Sequence, residues 1–219
     1  MTLRASVYGV HILVYGVDMA THDIAPQPTA NAPTAERLLE TARRILLDEG
    51  SEAISMRRVA QGAGVTTMAT YRHFANRQAL LDELARREFA QLATDPAASW
   101  DGDPDRVGPA VDAHLNLALN RPHLYAFLFT ERREGARQYP ADMRAGLSPT
   151  LNVLVEGLRA ARRRGDLSFE DEWEIAMIIA AQLHGLVQLR HGGRINLEEA
   201  DFRQLCACAV GVILNGLRA

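Results

Sequence analysis

Ser55–Phe74 reads SMRRVAQGAGVTTMATYRHF, and two helix starts lie in it. Ser55 precedes Arg57, Arg58, Val59 and Ala60, and Thr66 precedes the run to Phe74. A serine or threonine hydroxyl at such a place accepts a bond from the unpaired amides of a first helical turn. Between the two starts, Gly62-Ala63-Gly64 supplies small residues where helices must turn closely on each other. Two short helices joined by a brief glycine-containing turn, packed against a longer helix before them, predict a helix-turn-helix head.

The flanking sequence fits that head. Upstream, Thr34 is placed to cap a helix with Glu36 in its first turn; Leu38, Leu39, Ala42, Ile45 and Leu46 form one apolar stripe, and Gly50 stops it. Downstream, Asn76 is placed to cap a helix bearing Leu80, Leu81, Leu84, Phe89 and Leu92, which runs out at Thr94-Asp95-Pro96. The Pro-, Gly- and Asp-rich run DPAASWDGDPDRVGP from Asp95 then marks a boundary. Beyond it the apolar spacing predicts helices over 111–120, 122–133, 143–164, 171–191 and 197–217, and no alternating strand flanked by turn residues occurs. The expected fold class is all-α.

Between Ala53 and Leu81 the chain holds four arginines and a histidine but no Asp or Glu, although its net charge is −3. Any nucleic-acid contact must therefore come from a local patch. A helix-turn-helix inserts the start of its second helix into the major groove, which points Thr66, Thr67 and Met68 toward base edges. Tyr71, Arg72, His73 and Arg77 lie at or beyond that helix's end, where hydroxyl and cationic groups suit phosphates. Arg57 and the amides at the Ser55 and Asn76 helix starts add further backbone contacts. All 24 basic residues of the chain are arginine, so each one carries less individual meaning than it would in a lysine-containing chain.

Residues 35 to about 92 resemble the DNA-binding head of TetR-family transcriptional regulators: a helix ending in Glu49-Gly50, then SMRRVAQGAGV, TTMATYRHF and ANRQALLDELA. The resemblance implies that the third helix reads an operator and that Tyr71, His73 and Arg77 match phosphate-contacting positions. Met68 stands where the family usually has a small residue, and Thr70 where it usually has a large apolar one. In the second unit, RPHLYAFLF (121–129) and LHGLVQL (183–189) resemble the effector domain of a TetR subfamily named for a Trp-His-Gly signature, although Gln182-Leu183 precedes His184-Gly185 here.

These readings together predict three segments: a flexible extension over 1–33, a helix-turn-helix DNA-binding domain over 34–94, and an effector-binding and dimerisation domain over 95–219. The last two helices are apolar around much of their circumference, as in Ile175, Ile178, Ile179, Leu186 and Leu189, then Leu205, Val210, Val212 and Ile213. Helices of that kind need cover on more than one side, and a second copy of the chain would give a four-helix interface. Polar or aromatic residues set in apolar faces are the pocket candidates: Trp100, His114, Tyr125, Phe129, Met143, Met177, Gln182 and His184. Of these, Tyr125, Phe129, Met177, Gln182 and His184 are singled out for a small-molecule effector. The expected function is a homodimeric regulator, a repressor released from a near-palindromic operator by its ligand. A helical dimer that binds ligand or partners without binding DNA is the alternative.

No paired metal-binding histidines, phosphate loop or nucleophile elbow occur, so no enzymatic activity, cofactor or metal is expected. Cys206 and Cys208, two apart in a helical run, fall on different faces and read as reduced thiols in a cytoplasmic protein. The opening MTLRASVYGVHILVYGVD carries an apolar run that lacks a small-x-small cleavage site and is too short to span a bilayer, and Met19 is a second plausible start.

Overall fold

A computed structural model describes residues 33–96 and 99–219; the reading of the extension lies, Pro33 apart, outside the described residues. Among the described residues the secondary structure is ten α-helices with short 3-10 turns, and the one extended pairing is an isolated bridge between Leu167 and Arg218. The expected all-α architecture is the observed one.

Helix α1 (Thr34–Glu49) buries Leu38, Leu39, Ala42, Ile45 and Leu46, the stripe its spacing predicts. Thr34 does not cap it. Pro33 holds the cap position, and its carbonyl accepts from the amides of Glu36 and Arg37, so the proline's fixed φ turns the chain into the helix at Thr34 itself. The other three expected caps are present. Ser55 Oγ accepts from the Arg58 amide at 3.2 Å and starts α2 (Met56–Gly62); Thr66 Oγ1 accepts from Ala69 at 3.2 Å and starts α3 (Thr67–Tyr71). Asn76 Oδ1 accepts from Ala79 at 2.8 Å and starts α4 (Arg77–Ala93). Each such cap contributes about 1 kcal/mol. Gly64 takes φ +67° in the turn between α2 and α3, a conformation that strains other residues.

The second unit contains α5 (Gly108–Asn120), α6 (Pro122–Phe129), α7 (Ala141–Arg144), α8 (Pro149–Arg164), α9 (Glu172–His191) and α10 (Glu199–Asn215). The continuous helix expected over 143–164 is broken between α7 and α8. Gly146 adopts φ +75° there, and Pro149 disfavours helical geometry at Ser148 before it while suiting the first turn of a new helix. The helix expected to run to Arg133 ends at Phe129. Beyond it the amides of Thr130 and Glu131 both converge on the Ala126 carbonyl, which the Thr130 hydroxyl also reaches at 3.1 Å. The head packs on this unit through α1 against α6 and α4 against α8, while α8, α9 and α10 pack side by side. Tyr125, Phe127, Leu124, Leu158 and Phe202 are among the largest fully buried side chains between them. No described helix is long and apolar enough to cross a membrane.

Candidate nucleic-acid interface and effector cavity

The capped start of α3 fixes which of its side chains face out. Thr70 is fully buried, and its hydroxyl, the departure noted in the sequence, reaches the Thr66 carbonyl at 3.5 Å; Phe74 is buried beside it. The opposite face therefore presents Met68, 70% exposed, and Tyr71, 48% exposed, with Thr66, Arg72 and His73 also exposed and Thr67 half-buried. On α2, Ser55 and Arg57 are exposed as well. Among the described residues Arg57 and Arg72 form no ion pair, and the Tyr71 hydroxyl makes no bond within the chain. An exposed row of hydroxyls and unpaired guanidinium groups around an apolar tip can contact phosphates and base edges.

The arginines of this segment are not equivalent. Arg58 is paired with Glu49 of α1, which holds that carboxyl below its ordinary range, so the counter-charge missing from the local sequence comes from the preceding helix. Arg77, expected on a phosphate, donates from Nε to the Ile54 carbonyl at 2.8 Å and from Nη2 to the Ser51 carbonyl at 2.6 Å. With two donors on the chain's own carbonyls, Arg77 braces the loop between α1 and α2 against the start of α4. Arg37, which the spacing did not single out, donates to the Ala63 carbonyl at the end of α2.

In the second unit, α5, α6, α8 and α9 line a cavity in two adjoining parts that share wall residues. An inner chamber of about 150 Å³ is lined by Trp100, His114, Leu117, Phe129, Leu154, Ile179, Leu183 and His184, among others. An outer groove of about 540 Å³ runs from Phe129, Met177 and His184 toward Phe89 of α4 and the segment between α6 and α7. Phe129, Thr150, Leu151, Ala180 and His184 line both.

Phe129 and His184, two of the singled-out residues, meet at the junction with ring centroids 5.0 Å apart. Tyr125 lies behind them, fully buried; it is not among the residues lining either part and acts through its hydroxyl, which bonds His184 Nδ1 and lies 3.5 Å from His114 Nε2. A tyrosine hydroxyl has one hydrogen, so when it donates to one imidazole it can only accept from the other. Burial, reinforced by the neighbouring His184, pushes the His114 imidazole down to about 3, and burial lowers His184 too, so both rings are neutral near pH 7. Met177 lines the outer groove. Gln182 does not belong to the site: it is exposed, two residues from His184 and hence about 200° away around α9. His114, Trp100 and Met143, candidates by the same polar-or-aromatic criterion, do line the cavity. Arg133 and Arg137 were not singled out; the arginine-rich run ERREGAR between two helices was the available signal.

Two family models match the chain: bacterial regulatory proteins of the tetR family over residues 38–84, and the tetracyclin repressor-like C-terminal domain over residues 110–212. The tetracycline repressor protein class C of Escherichia coli is 46% identical over 176 residues, covering 80% of this chain and 74% of that protein. The HTH-type transcriptional regulator Rv1816 of Mycobacterium tuberculosis is 27% identical over 145 residues, and the match spans only 60% of its length. Among solved structures, a protein of unknown function from Rhodococcus sp. RHA1 superposes with a TM-score of 0.70 at 27% identity, covering 89% of this chain and 100% of that one.

Proposed function

This chain belongs to the TetR family of bacterial regulatory proteins, and from that premise we infer that it is a homodimeric DNA-binding regulator, a repressor released from its operator by a small molecule. The observation that carries the reading is the outward face of α3, where Met68, Tyr71, Arg72 and His73 stand exposed while Thr70 and Phe74 anchor the helix from behind. In this reading Thr66, Thr67 and Met68 meet base edges. Tyr71, Arg72, His73 and Arg57 hold phosphates, and the Ser55 helix start adds amide donors.

Dimerisation joins two such faces. Along α9 the exposed positions Glu174, Ile178, Ala181, Gln182, Gly185, Gln188 and Leu189 form one stripe, and along α10 Leu205, Cys208 and Val212 form another. A Cβ on Gly185 would meet nothing within 4 Å, so packing within the chain does not demand a glycine there, whereas a closely approaching partner helix would. A two-fold pairing of these stripes sets two reading helices about 34–36 Å apart, on successive major grooves of a near-palindrome. A ligand in the cavity between α5, α6, α8 and α9 that favours a different spacing weakens the DNA complex by the difference in its affinity for the two states.

The test is to incubate the purified protein with fragments of its own genomic DNA and sequence what it retains. A short palindromic motif, lost steeply as salt rises, is the expected result. Retention of no motif at low or moderate salt would leave a ligand-binding dimer that does not read DNA.

A further inference from the structure

We propose that the inner chamber takes a small neutral molecule with a hydroxyl on an apolar body, a phenol or a compact alcohol, and that His114 and His184 bond that hydroxyl. The inference rests on the effector reading of this cavity and names the chemistry of its ligand.

Tyr125 carries it by tying the two imidazoles together. Its hydroxyl bonds His184 Nδ1 and lies 3.5 Å from His114 Nε2. Burial moves the Tyr125 hydroxyl above its ordinary range, so it keeps its one hydrogen. Burial also lowers both histidines, so near pH 7 each ring has one N–H and one bare nitrogen. The imidazole that receives the tyrosine hydrogen must carry its own hydrogen on its far nitrogen. The imidazole that donates to the tyrosine oxygen must have a bare far nitrogen. Whichever way the hydroxyl turns, His114 Nδ1 and His184 Nε2 are then one donor and one acceptor.

Neither far nitrogen has a hydrogen-bond partner among the described residues. Neither is sealed off, since the fully covered side-chain polar atoms without a partner there are Thr41 Oγ1 and Asn152 Oδ1. Both rings line the inner chamber, with centroids 5.1 Å apart. A hydroxyl donates and accepts, so it matches this pair. An ether, carbonyl or carboxylate oxygen only accepts and an ammonium only donates, so each would leave one far nitrogen unpaired under cover.

The remaining lining selects the body of the ligand. The chamber holds about 150 Å³, and Leu117, Phe129, Leu154, Ile179 and Leu183 give it largely aliphatic and aromatic walls, a space that suits a benzene-sized group. Trp100 already donates its Nε1 hydrogen to the Asp103 carbonyl at 2.8 Å, and Asp95 is engaged within the chain. Thr150 adds one further hydroxyl to the wall.

The test titrates the full chain calorimetrically with phenol, toluene and anisole at about pH 7.5, where phenol keeps its hydrogen. Phenol is expected to bind about tenfold or more tightly than toluene, and anisole, which has the oxygen without the hydrogen, should fall close to toluene. His114→Phe should cut the phenol-to-toluene affinity ratio to about threefold, and His114→Phe with His184→Phe should bring it to about one. His184→Phe alone is the check if the double variant fails to fold. Phenol binding no tighter than toluene or anisole, or a ratio indifferent to both histidines, overturns the hydroxyl site and leaves the effector cavity standing. Binding of none of the three overturns both. Histidine-dependent phenol binding that fails to release the selected operator upholds the hydroxyl site and removes the effector reading.

Discussion

The hydroxyl of Ser51 donates a 2.5 Å hydrogen bond to the carboxylate of Glu131, and the carbonyl of the same Ser51 accepts from Arg77 at 2.6 Å. Glu131 lines the outer groove and Arg77 begins α4, so one buried serine joins the cavity wall to the DNA-binding head. Ser51→Ala and Glu131→Ala should each lower stability by about 1–3 kcal/mol, because either change strands a polar group at a covered contact. The double variant should lose no more than the larger single loss, which makes the coupling energy at least the smaller single loss, about 1–3 kcal/mol. Urea unfolding of the four proteins checks this, and additive losses would show that the two residues act apart.

Removing one oxygen from the reading face separates DNA contact from folding. The Tyr71 hydroxyl makes no hydrogen bond among the described residues, so Tyr71→Phe should leave stability within about 0.5 kcal/mol and weaken operator binding about five- to tenfold through a lost phosphate contact. Arg72→Gln should likewise spare the fold and reduce the slope of log affinity against log salt by about 1. Arg77→Gln should differ from both by lowering the melting temperature, since it leaves the Ser51 and Ile54 carbonyls without their donor. If Arg72 and Arg77 variants have matching melting curves, the bracing role is wrong.

How much of this was readable in advance depended on range along the chain. The caps at Ser55, Thr66 and Asn76 each satisfy an amide three residues on, so the sequence alone displayed both partners. The bracing of Arg77 on Ile54 spans 23 residues, and the Ser51 contact with Glu131 spans 80; nothing local marks either one. Periodicity puts Gln182 and His184 on different faces of α9 without saying which face looks inward, and only the fold shows that His184 lines the cavity while Gln182 is exposed. The break at Gly146 is different, because AGLSP carries its glycine and proline in plain view, and they outweigh the helical apolar spacing on either side. Arg133 and Arg137 went unnoticed because an arginine run in a loop reads as solvated surface until aromatic rings are found beneath it.

Protonation gives a further test. His114 and His184 are held neutral in the fold, both below their ordinary value of 6.5, so below about that pH the unfolded chain binds more protons than the folded one. Stability should therefore be fully present above pH 6.5 and fall as the pH drops through the window toward 3, the point to which His114 is depressed. Each imidazole contributes up to about 1.4 kcal/mol per pH unit to that slope. His114→Gln should flatten the dependence between about pH 6 and pH 5 relative to the parent, in urea titrations at the two pH values. An unchanged slope would mean that water reaches the ring in the folded state.

Close packing on α8 predicts a large effect from one methyl group. A Cβ on Gly157 would come within 2.4 Å of the Trp100 ring and 3.0 Å of the Trp100 carbonyl. The tryptophan is itself pinned by donating from Nε1 to the Asp103 carbonyl at 2.8 Å, so it cannot swing away freely. Gly157→Ala should destabilise the chain by about 1–3 kcal/mol despite alanine's better helix propensity, and should shift Trp100 emission as the ring is displaced within the inner chamber. A more stable Gly157→Ala variant would show that the contact relaxes without strain.

The exposed stripes on α9 and α10 can be tested without disturbing the core. Val212 is 66% exposed and Ile178 is 51% exposed, so a charge at either position meets only solvent in the single chain but would be buried in a paired one. Val212→Asp should keep the helical signal and yield a monomer by sedimentation at concentrations where the parent is a dimer. Gly185→Leu is the sharper variant: with nothing near its Cβ, the added side chain raises helix propensity within the chain, yet it blocks close approach by a partner helix. A monomer engages one half-site at a time, so operator affinity should fall by about a hundredfold or more in both variants. Dimers of parental strength from both proteins would move the interface elsewhere, and the two-fold pairing of α9 with α10 would have to be abandoned.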